Sequence, residues 1–139
     1  MPDKIHWTQL VANISTSAAC ILAAITIIFG YKQFKDSQEL QRSIKATELF
    51  MEFNRLQADL DKKKKPQKTD KDFWVYNNIF SLTEAIYILT KDDRGWVNTV
   101  TWMLNEQQMF LESHKFRCNT LDNSFVRMIK RSHPNFECE

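Results

Sequence analysis

Between Ile5 and Tyr31 the chain carries no Asp, Glu, Lys or Arg, and this uncharged stretch constrains the fold more than any other feature. The interval from Leu10 to Phe29 is about 20 residues long, and as an α-helix it rises about 30 Å, the thickness of a bilayer's hydrocarbon core. Leu10, Val11, Ile14, Ile21, Leu22, Ile25, Ile27, Ile28 and Phe29 together contribute roughly −3 to −5 kcal/mol to insertion. Asn13, Ser15, Thr16, Ser17 and Thr26 subtract from that sum. The segment reads as a transmembrane helix. A cleaved signal peptide fits less well, because the apolar stretch exceeds an h-region, the n-region holds only Lys4, and no small-residue cleavage site ends it. Ser17-Ala18-Ala19-Cys20 has the outline of a lipoprotein box, yet the chain stays apolar from Ile21 to Phe29 where a mature lipoprotein turns polar.

Orientation follows from flanking charge. Lys32, Lys35, Arg42 and Lys45 lie close after the span, against Lys4 alone before it, and the positive-inside rule then keeps the longer side in the cytoplasm. The expectation is a single-pass protein of the inner (cytoplasmic) membrane with its N-terminus outside. The three cysteines are an odd number. Cys20 lies in the apolar span, and Cys118 and Cys138 are isolated near the C-terminus, so they read as unpaired thiols of a reducing compartment.

Winding the span at 100° per residue separates two faces. Leu10, Val11, Ile14, Ile21, Leu22, Ile25, Ile28 and Phe29 fall within an arc of about 120°. The remainder is small or polar: Ala12, Asn13, Ser15, Thr16, Ser17, Ala19, Cys20, Ala23, Ala24, Thr26 and Gly30, with Ile27 the exception. A lone helix in lipid has no need of that division. Small residues let helices approach closely, and Ser, Thr and Asn bond across the contact. Ala12, Asn13, Thr16, Ser17, Ala19, Cys20, Ala23 and Ala24 are therefore expected to form an assembly face, for a homo-oligomer first and for another membrane partner as the alternative. If copies ring a centre, the row Asn13, Ser17, Cys20 and Ala24 faces a wet lumen; the simpler reading is tight helix packing.

The rest of the chain is expected to be all-α. Two Gly and three Pro in 139 residues are few for hairpins, since average usage is about 7% and 5%. The span is expected to run on as a cytoplasmic stalk over 32–61, where Leu49, Phe53, Leu56 and Leu60 repeat at 4, 3, 4 spacing as on a helix that packs. Residues 62–72 read as a charged linker around Pro66, in which Lys62 to Lys65 is a run able to touch acidic lipid or RNA but more simply read as solvated. A helical bundle then occupies 73–139. Its first helix starts after Thr69 or Asp70 and reaches about Thr90, with Val75, Ile79, Leu82, Ile86 and Leu89 as the main stripe and Phe73, Trp74, Tyr76, Phe80 and Tyr87 widening it well beyond one narrow face. Asp92, Asp93 and Gly95 make a turn. The next helix runs from Trp96 to about Phe116, with Val97, Val100, Leu104 and Leu111 on one side. Cys118 to Asn123 reads as a loop and Ser124 to Arg131 as a last helix, stopped by Pro134.

Chemistry is sparsely signalled. The net charge of +2 and pI near 8.4 fall short of a dedicated nucleic-acid binder, so no DNA partner is expected. There is no Gly-rich phosphate loop, nucleophile elbow or HExxH, and no cofactor is expected. His114, Cys118, His133 and Cys138 have ligand types suited to zinc, but their spacing fits no standard finger and they read as surface His and unpaired Cys; no metal is expected. Phe73, Trp74, Tyr76, Phe80, Trp96, Trp102 and Phe110 have faces on which bases stack, yet their helical spacing among aliphatics reads as core.

Arg127, followed six places later by His133, resembles the Arg-x(4 to 6)-His motif of HEPN ribonucleases. The resemblance implies proton transfer by His133 and phosphate-charge stabilisation by Arg127. A single N-terminal span, a basic stalk, a compact helical domain and this pair together resemble the small membrane accessory proteins of type VI-B CRISPR systems. What that resemblance implies is a HEPN-like bundle on a pore-forming oligomer that acts in antiviral defence, with an RNA-guided nuclease or RNA as partner. The alternatives are a membrane-tethered ribonuclease and an anchor that docks a protein through its helical domain.

Overall fold

The structure, a computed structural model, describes residues 3–58, 60, 67–69 and 71–139, with side chains from residue 20 onward. The lysine run Lys62 to Lys65 and Pro66, expected as a linker, lie outside the described residues. The chain is mostly helical: α1 (Asp3–Ala58), α2 (Lys71–Thr90), α3 (Arg94–Glu106), α4 (Gln108–Ser113) and α5 (Asn123–Ser132), with two-residue strands β1 (Lys115–Phe116) and β2 (Glu137–Cys138). The helix α1 begins in one compact unit, residues 1–41, and ends in a second, residues 42–139.

In the first unit the described side chains are exposed from Cys20 onward. Among the described residues no helix is long and apolar enough to cross a membrane. Of the segment Leu10 to Phe29, the side chains up to Ala19 lie outside the described residues.

The second unit has one core. Ala46 and Phe53 of α1 are fully buried beside Ile79 and Ile86 of α2, Val100, Met103 and Leu104 of α3, Leu111 of α4, and Phe125 and Ile129 of α5. Leu49, Leu56 and Leu60 pack partly buried against this cluster, so the stripe read in the sequence does pack, with Leu49, Phe53 and Leu56 on α1 and Leu60 beyond its end. Residues 42–58, expected as the second half of a stalk, are a wall of the helical domain.

Start and stop signals act where the residues place them. Asp93 caps α3, its Oδ1 accepting from the backbone N–H of Gly95 at 2.7 Å and of Trp96 at 3.3 Å. Asp122 caps α5 in the same way through Ser124 and Phe125, and its own N–H donates to Glu84 Oε1 of α2 at 2.7 Å. The hydroxyl of Ser124 bonded to Asp122, more than any other contact, holds that carboxyl below the usual aspartate range. Pro134 follows directly on the last turn of α5, where it cannot continue the helix.

Three expectations require correction. The helix expected over Trp96 to Phe116 is broken at Gln107 and ends at Ser113. No Gly or Pro stands at the break; Gln107 leaves the helical register (φ −104°, ψ 9°) while its carboxamide donates to Thr83 Oγ1 at 2.9 Å and to the Met103 carbonyl at 3.1 Å. The chain after His114 is extended and pairs β1 with β2 in parallel, Lys115 opposite Glu137 and Phe116 opposite Cys138. That pairing needs a crossover connection, which the 3₁₀ turn Cys118–Thr120 and α5 supply. Finally, the thiols read as unpaired are joined: Cys118 and Cys138, 20 positions apart, form a disulfide with their Cα atoms 5.4 Å apart. The strand register brings them together, and nothing local to either cysteine signals it. Phe116 stacks on Phe136 with ring centroids 5.0 Å apart beside that bond.

Candidate functional site

The expected assembly face divides at the limit of the described side chains. Those of Ala12, Asn13, Thr16, Ser17 and Ala19 lie outside it, whereas Cys20, Ala23 and Ala24 are exposed, Cys20 as a free thiol. On the same turns Ile21, Leu22, Ile27, Ile28 and Phe29 are between 61% and 70% exposed, and Ile25 is 44% exposed. Beyond them Tyr31, Phe34, Leu40 and Ile44 are also exposed. Isolated apolar side chains on a surface need no explanation, but a contiguous run of this kind marks a surface that something else covers. Thr26 returns its hydroxyl to the Leu22 carbonyl at 2.8 Å, which lets it sit among apolar residues without an unsatisfied donor.

The groove that Arg127 lines does not have His133 in its lining. Arg127 is exposed and lines a groove with Lys91, Arg131, Thr101, Ser124 and Ser132. His133 is 3% exposed. It caps the end of α5, its N–H donating to the Ile129 carbonyl at 2.7 Å, and its Nδ1 lies 2.9 Å from Ser132 Oγ. Burial holds the imidazole below its usual value, with the carboxylate of Glu112 pulling the other way. A buried ring that resists protonation and lies outside the cationic groove is poorly placed to carry a proton to a substrate held by Arg127. The four His and Cys considered as zinc ligands do not converge either. Cys118 and Cys138 are bonded to each other, and a disulfide offers no thiolate. Among the described residues no group of three or more His, Cys, Asp or Glu is placed to hold a metal.

The aromatic set divides by location. Tyr76, Phe80 and Phe110 are buried and Phe73 and Trp96 half-buried in the core, as their spacing implied. Trp102 is 43% and Trp74 62% exposed. Trp74 borders a cleft of about 560 Å³ at the start of α2, whose rim carries Lys68, Asn77, Lys115 and Arg117. None of these rim residues was singled out from the sequence, because they come from three separated segments. The one local signal is that Trp74 sits about 100° around the helix from the stripe through Val75 and Leu82, where an indole has no core to enter.

No protein-family model, curated protein or solved structure matches the chain.

Proposed function

We propose that this chain is a single-span, self-associating membrane protein whose N-terminal helix both anchors and assembles it. The observation that carries the reading is the uncovered apolar run from Ile21 to Phe29 on α1. In water such a surface drives aggregation, whereas in lipid it is the stable arrangement. Extended through the apolar residues from Leu10 onward, it reaches the length of a bilayer core. The small and polar face from Ala12 to Ala24 supplies the contact between copies, as close-packed membrane helices do. In a ring of copies the row Asn13, Ser17, Cys20 and Ala24 lines a channel. That is the arrangement implied by the resemblance to CRISPR-linked accessory proteins, and it would make the assembly a pore or membrane-perturbing part of antiviral defence, beside an RNA-guided nuclease or RNA.

The excess of Lys32, Lys35, Arg42 and Lys45 over Lys4 supports a cytoplasmic position for the helical domain. The Cys118–Cys138 disulfide no longer lends the support that unpaired thiols were expected to give. In the cytoplasm disulfides are as a rule transient, so the bond weighs against this orientation. No observation favours the ribonuclease reading over this one: His133 is buried and does not line the groove of Arg127.

The test is extraction followed by sizing. The protein should stay in the membrane fraction through alkaline carbonate and leave it as a discrete oligomer in mild detergent. Ala19→Leu and Ala23→Leu, which place bulk on the assembly face, should convert that oligomer to monomer without releasing the protein from the membrane. A wild-type chain that is strictly monomeric in mild detergent overturns the assembly, and one that carbonate releases overturns the anchor.

A further inference from the structure

We infer that the cleft beside Trp74 binds a nucleoside phosphate, with the base on the indole face and the phosphate on the cations of the rim. The inference is independent of the membrane reading, since every residue it uses belongs to the helical domain.

The cleft holds about 560 Å³, within the range of roughly 300–1,000 Å³ typical of small-molecule sites. Its apolar side is aromatic. Trp74 stands edge-on to Phe73 with centroids 5.5 Å apart and planes at 86°, and Phe73 is packed against Phe110 at 5.7 Å and His114 at 5.0 Å. The indole rests against Phe73 while 62% of the residue remains open to solvent. An open, flat aromatic face accepts a base of any sequence, because every base has a π face. Asn77, three positions on and on the same side of α2, lines the same cleft, and its carboxamide has no hydrogen-bond partner among the described residues. It therefore has both a donor and an acceptor to offer to a base edge.

The opposite rim is cationic. Lys68, Lys115 and Arg117 line the cleft. Lys115 pairs with Glu137 at 3.4 Å and Arg117 with Glu139 at 3.2 Å, with the two basic side chains 66% and 78% exposed. Exposed pairs of this kind are weak, and a phosphate brings more charge to the same place than a single carboxylate does. Glu139, which also borders the cleft, is then an internal competitor that must swing aside. An apolar ligand would leave the cations idle, and a bare anion would leave the indole and Asn77 idle. A nucleoside phosphate uses all of them.

The shared chemistry admits a free nucleotide or a nucleotide within a single strand of RNA, and titration of the detergent-solubilised full chain distinguishes these sources. The probes are AMP, ribose 5-phosphate, inorganic phosphate and a short oligoadenylate, followed by calorimetry. AMP or the oligoadenylate should bind at least about tenfold more tightly than ribose 5-phosphate, and Trp74→Ala should weaken binding by roughly five- to a hundredfold, the range of one lost base stack. Lys115→Ala with Arg117→Ala should weaken it and flatten its salt dependence. Glu139→Gln should tighten it several-fold, a gain that a destabilised domain cannot produce. Preference for AMP identifies a free nucleotide, and preference for the oligomer identifies a strand. The inference is overturned if neither binds at millimolar concentration, if ribose 5-phosphate or inorganic phosphate binds as well as AMP, or if Trp74→Ala and Glu139→Gln both leave affinity unchanged.

Discussion

Two buried polar residues show how single side chains shape this domain. Gln107 is 1% exposed and leaves its Oε1 without a partner among the described residues, while Thr83, which receives its amide, is already satisfied by donating to the Ile79 carbonyl at 2.8 Å. Removing the amide therefore relieves the unpartnered Oε1 and leaves Thr83 satisfied, but it takes from the Met103 carbonyl the donor at 3.1 Å. Gln107→Met should lower stability by about 1 kcal/mol, read as a slightly lowered melting temperature. An unchanged or raised melting temperature would mean that the amide is not needed to hold the break between α3 and α4. His133 makes a pH-dependent contribution. Its folded value lies below the ordinary 6.5, chiefly through burial, so the unfolded chain binds the proton more readily. The stabilisation is therefore fully present above about pH 6.5 and is lost as pH falls through the folded value. Thermal melts of wild type and His133→Gln should differ at pH 7.5 in their dependence on further acidification, with the slope between pH 7 and 5 smaller in the variant.

At the scale of elements, α2 is a helix whose type, ends and broad apolar face were legible but whose orientation was so only in part. Of its main stripe Ile79 and Ile86 are fully buried, and Tyr76, Phe80 and Tyr87, which widen it, are buried too; Val75, Leu82 and Leu89 are half-buried. The buried set Tyr76, Ile79, Phe80, Thr83, Ile86, Tyr87 and Thr90 centres about 80° from the middle of that stripe. Thr83 and Thr90 return their hydroxyls to the carbonyls of Ile79 and Ile86 at 2.8 and 2.6 Å and so pack as small apolar residues. A hydropathy pattern counts them as polar and so places the centre of the face too far to one side. The C-terminal end of α1 makes a complementary point, because Phe53 is wholly buried and stacks near Phe50 and Trp102. Phe53→Ala should cost the domain about 3–5 kcal/mol by chemical denaturation, whereas a free stalk would lose almost nothing. The parallel pair of β1 and β2 depends on its clamp. The disulfide closes a 20-residue separation and should contribute about 3 kcal/mol, so dithiothreitol or Cys138→Ser should lower the melting temperature and speed amide exchange at Glu137 to Glu139.

For the whole molecule the membrane reading proposed above turns on which side the helical domain would occupy, because charge and disulfide argue in opposite directions. The cations after the proposed span favour the cytoplasm; a persistent disulfide favours an oxidising compartment. A single reporter thiol decides it. In a chain with Cys20, Cys118 and Cys138 replaced by serine, Asn119→Cys is expected to resist a membrane-impermeant maleimide in intact cells and to react once the membrane is opened. Labelling in intact cells would reverse the orientation.

The sequence by itself determined the helical class, through the scarcity of Gly and Pro, and located the starts of α2 and α5 and the stop at Pro134, since these are local consequences of capping and backbone restriction. It also marked the uncharged stretch from Ile5 to Tyr31, because hydropathy is a property of the residues themselves. The break at Gln107, the partial rotation of α2, the Cys118–Cys138 bond and the burial of His133 were decided only by tertiary structure. Each depends on a partner many positions away: Thr83 for Gln107, the β1 register for the cysteines, the core around Ile129 for His133. The cleft at Trp74 belongs with these. Its indole, its amide and its cations meet only after α2, α4 and β1 have packed, and no spacing along the chain records that meeting.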